Sequence, residues 1–153
     1  MRKLILKEET MKPVLLILLI LLVGCSPTAS IDSLPDAKKL ANSFFEGFKK
    51  GNYNDLLSLY SDDFWKDMPK ETWKKILPNV NYELGNIKEC ELISWNQKTQ
   101  ASTSGTGNFV TLQYTCKHEK YDSTITFSTK KPLSGGETVI VGQNFSSIGF
   151  LIE

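Results

Sequence analysis

One histidine and three cysteines are the side chains of this 153-residue chain best suited to chemistry. Cys25 closes an uncharged run, VLLILLILLVG (14–24), and its thiol becomes a nucleophile on ionisation. His118 lies in Lys-His-Glu-Lys (117–120), which reads as a solvated turn and not as the setting of a general base. Asp62 and Asp63 are adjacent, so their carboxylates diverge; they are expected to set a turn and cap the next element. Glu89 and Glu91 would share a strand face about 7 Å apart, and their neighbours Lys88 and Thr115 point to a solvated face. No stretch spaces His, Cys, Asp and Glu as a metal site does. There is no nucleophile elbow, and Gly105-Thr106-Gly107 lacks the following helix that a phosphate loop needs. No catalytic residue, metal or cofactor is therefore expected.

The apolar run decides where the chain is expected to reside. From Pro13 to Gly24, twelve helical residues rise roughly 18 Å, well short of a hydrocarbon core of about 30 Å. With Lys12 before it and Gly24 and Ser26 at its end, the run has the layout of a secretory signal. Leu22-Val23-Gly24-Cys25 resembles the bacterial lipoprotein cleavage box. That resemblance implies a diacylglycerol on the Cys25 sulfur, removal of residues 1–24 and a lipidated tether over 25–34. Several acyl chains on one terminus anchor durably, so the expected partner is a membrane, reached through lipid. Ser26 stands where an Asp would retain such proteins at the inner membrane; the resemblance therefore implies the periplasmic side of the outer membrane in a host that has one. Glu8 and Glu9 suit a basic leader badly, and Met11-Lys12-Pro13 fits better as its start.

Residues 1–24 hold four of the 18 basic and two of the 17 acidic residues, which leaves the remainder formally −1. Such a body has no basic excess of the kind nucleic acid requires, and no nucleic-acid partner is expected. Setting Cys25 aside leaves Cys90 and Cys116, and an even pair in an exported chain favours a disulfide.

A single domain is expected over 35–153. Ser33, with Asp36 three residues on, reads as a helix cap. Ala37, Leu40, Ala41, Phe44, Phe45 and Phe48 follow at helical spacing and form one apolar stripe, and Gly51 suits the exit. A shorter helix is expected near 53–60, with Phe64 and Trp65 in a tight connection after it. A third begins near Pro69, carries Trp73, Ile76 and Leu77, and is expected to stop at Pro78. Four β-rich stretches follow, near 85–98, 107–118, 122–131 and 137–152, joined by short turns as an antiparallel meander. Helices followed by such a sheet give an α+β layout, with the Phe44, Phe45 and Phe48 stripe against one sheet face.

Folding the first hairpin about Thr103 sets Cys90 opposite Cys116, Leu92 opposite Tyr114 and Ser94 opposite Leu112. Directly opposed residues can bring two sulfurs within bonding distance. Ile93 and Trp95 have the other parity from Leu92, so either both faces are covered there or a bulge shifts the strand.

The segments ANSFFEGFKKGNYNDLLSLYSDDFW (41–65), WKKIL (73–77) and LGNIKECELISW (84–95) resemble nuclear transport factor 2-like domains, a resemblance that extends over about residues 35–153. They are similar to small lipoproteins of unknown function with that architecture. The resemblance implies helices on a strongly curved antiparallel sheet (a cystatin-like layout) enclosing a conical pocket. Phe44, Phe48, Trp73, Trp95 and Tyr114 are the aromatics that would line it, although core packing explains the same spacing. Fold carries no activity with it. The reading best matched to the residues is a non-enzymatic, lipid-anchored envelope domain that binds a protein or a small apolar ligand. A pocket enzyme of the isomerase or dehydratase type and a homodimeric envelope assembly component are the two alternatives.

Overall fold

The apolar stripe at 37–48 is one face of a helix, α1 (Leu34–Lys49), in which Ala37, Ala41, Phe44, Phe45 and Phe48 are buried. The computed structural model describes residues 32–102 and 105–151; the leader, Cys25 and most of the tether lie outside them. Ser33 does not cap α1 with its side chain. It is buried, its amide donates to Gln97 Oε1, and Asp32 Oδ1 accepts from the Leu34 amide in its place. Tertiary contact with the sheet thus outcompetes the local capping box.

The second helical segment is split into one turn of α2 (Tyr53–Leu56) and a 3₁₀ turn (Leu57–Leu59). Gly47 makes the α1–α2 approach possible, because a Cβ there would lie 2.5 Å from Leu56 Cδ2. Phe64 and Trp65, read as a connection, belong to a further helix, α3 (Asp62–Asp67). Ser61 Oγ accepts from the Phe64 amide and supplies its cap, while Asp62 and Asp63 occupy the first turn, where acids suit the positive helix end.

α4 (Lys70–Leu84) does not stop at Pro78; it runs six residues past it. Proline has no N–H to give the carbonyl four residues back. Trp73, Leu77, Val80 and Leu84 nevertheless form one continuous buried face, and that burial outweighs the lost bond. Gly85 ends the helix with φ +80°, and a Cβ there would sit 2.7 Å from Glu119 Cβ.

The sheet is a four-stranded antiparallel meander in sequence order: β1 (Ile87–Ser102), β2 (Gly105–His118), β3 (Ser123–Pro132) and β4 (Val139–Ser146). The architecture is α+β, with helices preceding an open sheet. Cys90 faces Cys116, their sulfurs 2.01 Å apart, and Leu92 faces Tyr114. Ser94 faces Gln113 and not Leu112; Leu112 is opposite Trp95. The register shifts between Leu92 and Ser94, so Ile93 is the extra residue of a bulge. Nearer the hairpin end the pairing is displaced by one residue from the expected register, beginning with Ser102 opposite Gly105. The bulge restores the expected register before the cysteines. It also places Leu92 and Trp95 on the same face despite their opposite parity.

Phe44 meets Phe127 edge-on at 5.2 Å between ring centroids, and Phe45 meets Tyr114 at 5.0 Å. Val110, Leu112, Ile125, Phe127 and Ile140 supply the sheet side of this core. Among the described residues no helix is long and apolar enough to cross a membrane.

Candidate functional site

The aromatics expected to line one pocket separate into three settings. Phe44 and Phe48 are at most 1 % exposed and stack on each other at 5.6 Å; with Tyr114, 5 % exposed, they fill the interior. Trp95 is 53 % exposed on β1, an edge strand, and takes no part in that cluster. Trp73 packs edge-on against Tyr60 and Phe64, at 5.9 and 5.3 Å, and reaches a cleft on its other side.

That cleft, about 390 Å³, lies between α4 and β4 and extends to Phe150 of the terminal 3₁₀ turn Ile148–Phe150. Its apolar walls are Met68, Trp73, Ile76, Val80, Phe145 and Phe150, and its polar groups are Asn79, Gln143 and Asn144. Residues of α4 reach it because Trp73, Ile76 and Val80 share one side of that helix. Gln143 reaches it from β4, where a register shift between Ser128 and Thr129 places Gln143 opposite Phe127 on the core face.

Gln143 Oε1 accepts a hydrogen bond from the Tyr60 hydroxyl. Tyr60 is 6 % exposed, and burial raises its pKa, so the hydroxyl stays protonated and donates. The Trp73 indole lies close enough to the phenolic oxygen to oppose that rise slightly, without itself forming a well-aligned hydrogen bond. With the Gln143 carbonyl engaged by Tyr60, its amide nitrogen carries two N–H groups. Nε2 of Gln143 and Nε1 of Trp73 are both buried, and no described atom accepts from either. Both side chains also line the apolar cleft, with the two donor atoms lying beneath its surface.

A second hollow, about 290 Å³, lies between the first turns of α1 and the β3–β4 link, lined by Asp36, Lys39, Leu40 and Ser43 opposite Gly136, Glu137 and Thr138. Lys131 pairs with Asp36 beside it. Its charged rim is open to solvent, and Thr138 Oγ1 is its one buried polar atom lacking a described partner.

His118 corrects the solvated-turn expectation. It is 5 % exposed at the inner end of β2, with Nδ1 2.9 Å from the Gly85 carbonyl and Nε2 2.9 Å from Ser123 Oγ. A carbonyl only accepts, so Nδ1 carries the proton and Nε2 accepts from the serine. Burial lowers the His118 pKa, against smaller raising effects from the Gly85 carbonyl and Asp122. The ring is neutral near pH 7 and both its nitrogens are engaged in holding the end of α4 to the β2–β3 turn. Glu89 lies on the solvated side as expected, paired with Lys117 at 2.7 Å. No group of three or more metal-ligating side chains occurs among the described residues.

Helical spacing turns Tyr60 inward with Leu56 and Leu57, but no motif points to its pairing with Gln143. The one signal for Gln143 is that it shares the strand parity of Phe145. No curated protein and no solved structure matches the chain. Residues 40–135, from within α1 to the turn after β3, match the DUF4019 family, described as proteins of unknown function, and the chain belongs to that family.

Proposed function

We propose that this protein is a lipid-anchored lipoprotein of the cell envelope whose body is a non-enzymatic binding domain of the nuclear transport factor 2-like kind. The anchoring rests on the order of Lys12, a short apolar run, Gly24 and Cys25. A cysteine pair at disulfide distance suits an oxidising compartment. The binding role is carried by a single observation: the α4–β4 cleft combines apolar walls with neutral amide side chains and has no titratable side chain in its lining. General acid–base chemistry needs a group whose pKa approaches the working pH. Tyr60, behind Gln143, is moved away from that range.

The test is fractionation of cells expressing the full chain, followed by mass spectrometry. The wild-type protein is expected in the membrane fraction, lacking residues 1–24 and carrying acyl mass on Cys25; Cys25→Ser is expected to lose the lipid. An intact, unacylated cytosolic chain overturns the anchoring. Turnover of a carbonyl or hydroxylated substrate, abolished by replacing one inward-facing acid, overturns the non-enzymatic reading in favour of the isomerase or dehydratase class.

A further inference from the structure

We infer that the α4–β4 cleft selects small apolar molecules bearing a neutral carbonyl oxygen, which accepts from Gln143 Nε2 with Trp73 Nε1 as the second donor. The inference rests on the binding role proposed above and specifies its ligand. An N–H group buried without an acceptor is destabilising, and two belong to side chains that line this one cleft. Both present hydrogen and neither presents a lone pair, so the complementary group is an acceptor. A hydroxyl satisfies them less well, since its own proton would then need a partner. A carboxylate is disfavoured, because the cleft lining carries no cation to offset the loss of water around a charge. A ketone, ester or amide carbonyl meets the donors without that cost. Met68, Ile76 and Phe145 offer apolar and aromatic contact to the rest of the molecule, and a cleft of about 390 Å³ suits a ligand of one or two rings. Both donor atoms are closed to solvent, so an outer wall must give way on binding.

Tyr60 fixes the polarity of the site. Its hydroxyl donates to Gln143 Oε1, which holds the amide with its NH₂ end free for a ligand. Gln143→Glu keeps an acceptor for Tyr60 and, when ionised, removes the donors while adding a charge, whereas Gln143→Met removes donors and acceptor without one.

The experiment titrates ¹⁵N-labelled full chain in detergent with acetophenone, methyl benzoate, N-methylbenzamide, benzoate and ethylbenzene, and follows side-chain N–H resonances. The neutral carbonyl probes are expected to shift the Gln143 amide and Trp73 indole signals. They should bind about tenfold tighter than ethylbenzene, the effect of one hydrogen bond, with benzoate weakest. The order among ketone, ester and amide identifies the kind of carbonyl. The exposed Trp95 indole is the control and should not move. Gln143→Glu is expected to bring the carbonyl probes down to the level of ethylbenzene, and Gln143→Met makes the same comparison should the buried glutamate unfold the chain. Equal binding of ethylbenzene and acetophenone with a Trp73 shift overturns the carbonyl inference and leaves the binding role standing. Benzoate binding tightest overturns the preference for a neutral group. No Trp73 shift with any probe, or an equal Trp95 shift, overturns both the inference and the cleft as the binding site.

Discussion

Two buried residues carry the sharpest expectations. Tyr60→Phe removes the donor to Gln143 Oε1 and leaves that oxygen buried, which should destabilise by about 1–3 kcal/mol. Adding Gln143→Met removes the stranded amide as well, so the double variant should be more stable than Tyr60→Phe alone. Urea unfolding of the three chains checks this, and strictly additive losses would mean that the two side chains do not act as a pair. His118 makes stability depend on pH. Its folded pKa lies below the unfolded value of about 6.5, so the unfolded chain takes up a proton that the folded chain refuses. The contribution is therefore complete above about pH 6.5 and is lost as pH falls toward the lower, folded pKa. His118→Gln should flatten the unfolding free energy between pH 7 and pH 5.5, and an unchanged slope would assign it to other groups. The sequence held a clue to this burial: His118 has the parity of Leu112, Tyr114 and Cys116, all buried. The charged neighbours Lys117 and Glu119 obscured it, because local polarity reports on a turn and not on the direction of one side chain within it.

Among the elements, the legible ones were those whose burial follows one period. α1 could be read from its stripe and the four strands from their alternation, because each buries a single face. α4 was legible only to Pro78. A proline rule is local, whereas Val80 and Leu84 continue the face begun by Trp73 through contacts made elsewhere in the fold. The first hairpin reached the correct cysteine pairing through two compensating displacements, a one-residue offset near its end and the Ile93 bulge. A bulge leaves no composition signal beyond the parity conflict between Leu92 and Trp95. The cleft was illegible for a related reason: it depends on β4's register shift and on how α4 extends, neither of which spacing encodes. The cysteine pair joins the two strands next to this bulge and closes a separation of 26 residues. Replacing both cysteines by Ala is expected to cost about 3 kcal/mol in urea unfolding under oxidising conditions, chiefly by freeing the unfolded chain. If the loss vanished when both proteins were compared under reductant, the bond would be its source; an equal loss under reductant would assign it to packing.

At the scale of the described body, residues 32–102 and 105–151, the helices pack on one side of the sheet, and the other side bears on whether the protein assembles. Thr111, Gln113, Thr115, Thr124, Thr126 and Ser128 alternate with the buried positions of β2 and β3 and so face outward, opposite one another across the two strands. A stable homodimer needs an apolar centre to its interface and about 1,600 Å² of buried surface. This hydroxyl-rich face supplies area without that centre. The outer edge of β1 offers strand pairing, but the Ile93 bulge interrupts it and Lys88, Glu89, Glu91 and Lys98 lie along it, devices that discourage edge-to-edge association. At the other end of the sheet, β4 is bridged by Tyr60 opposite Ile140, and the Ser61 amide donates to the Ile140 carbonyl. Sedimentation of the full chain in detergent is accordingly expected to give one copy per particle at micromolar concentration. A dimer whose population rises with concentration and falls on Thr126→Lys would restore the assembly role, because a charge at the centre of the outward face weakens association there and leaves the α4–β4 cleft untouched.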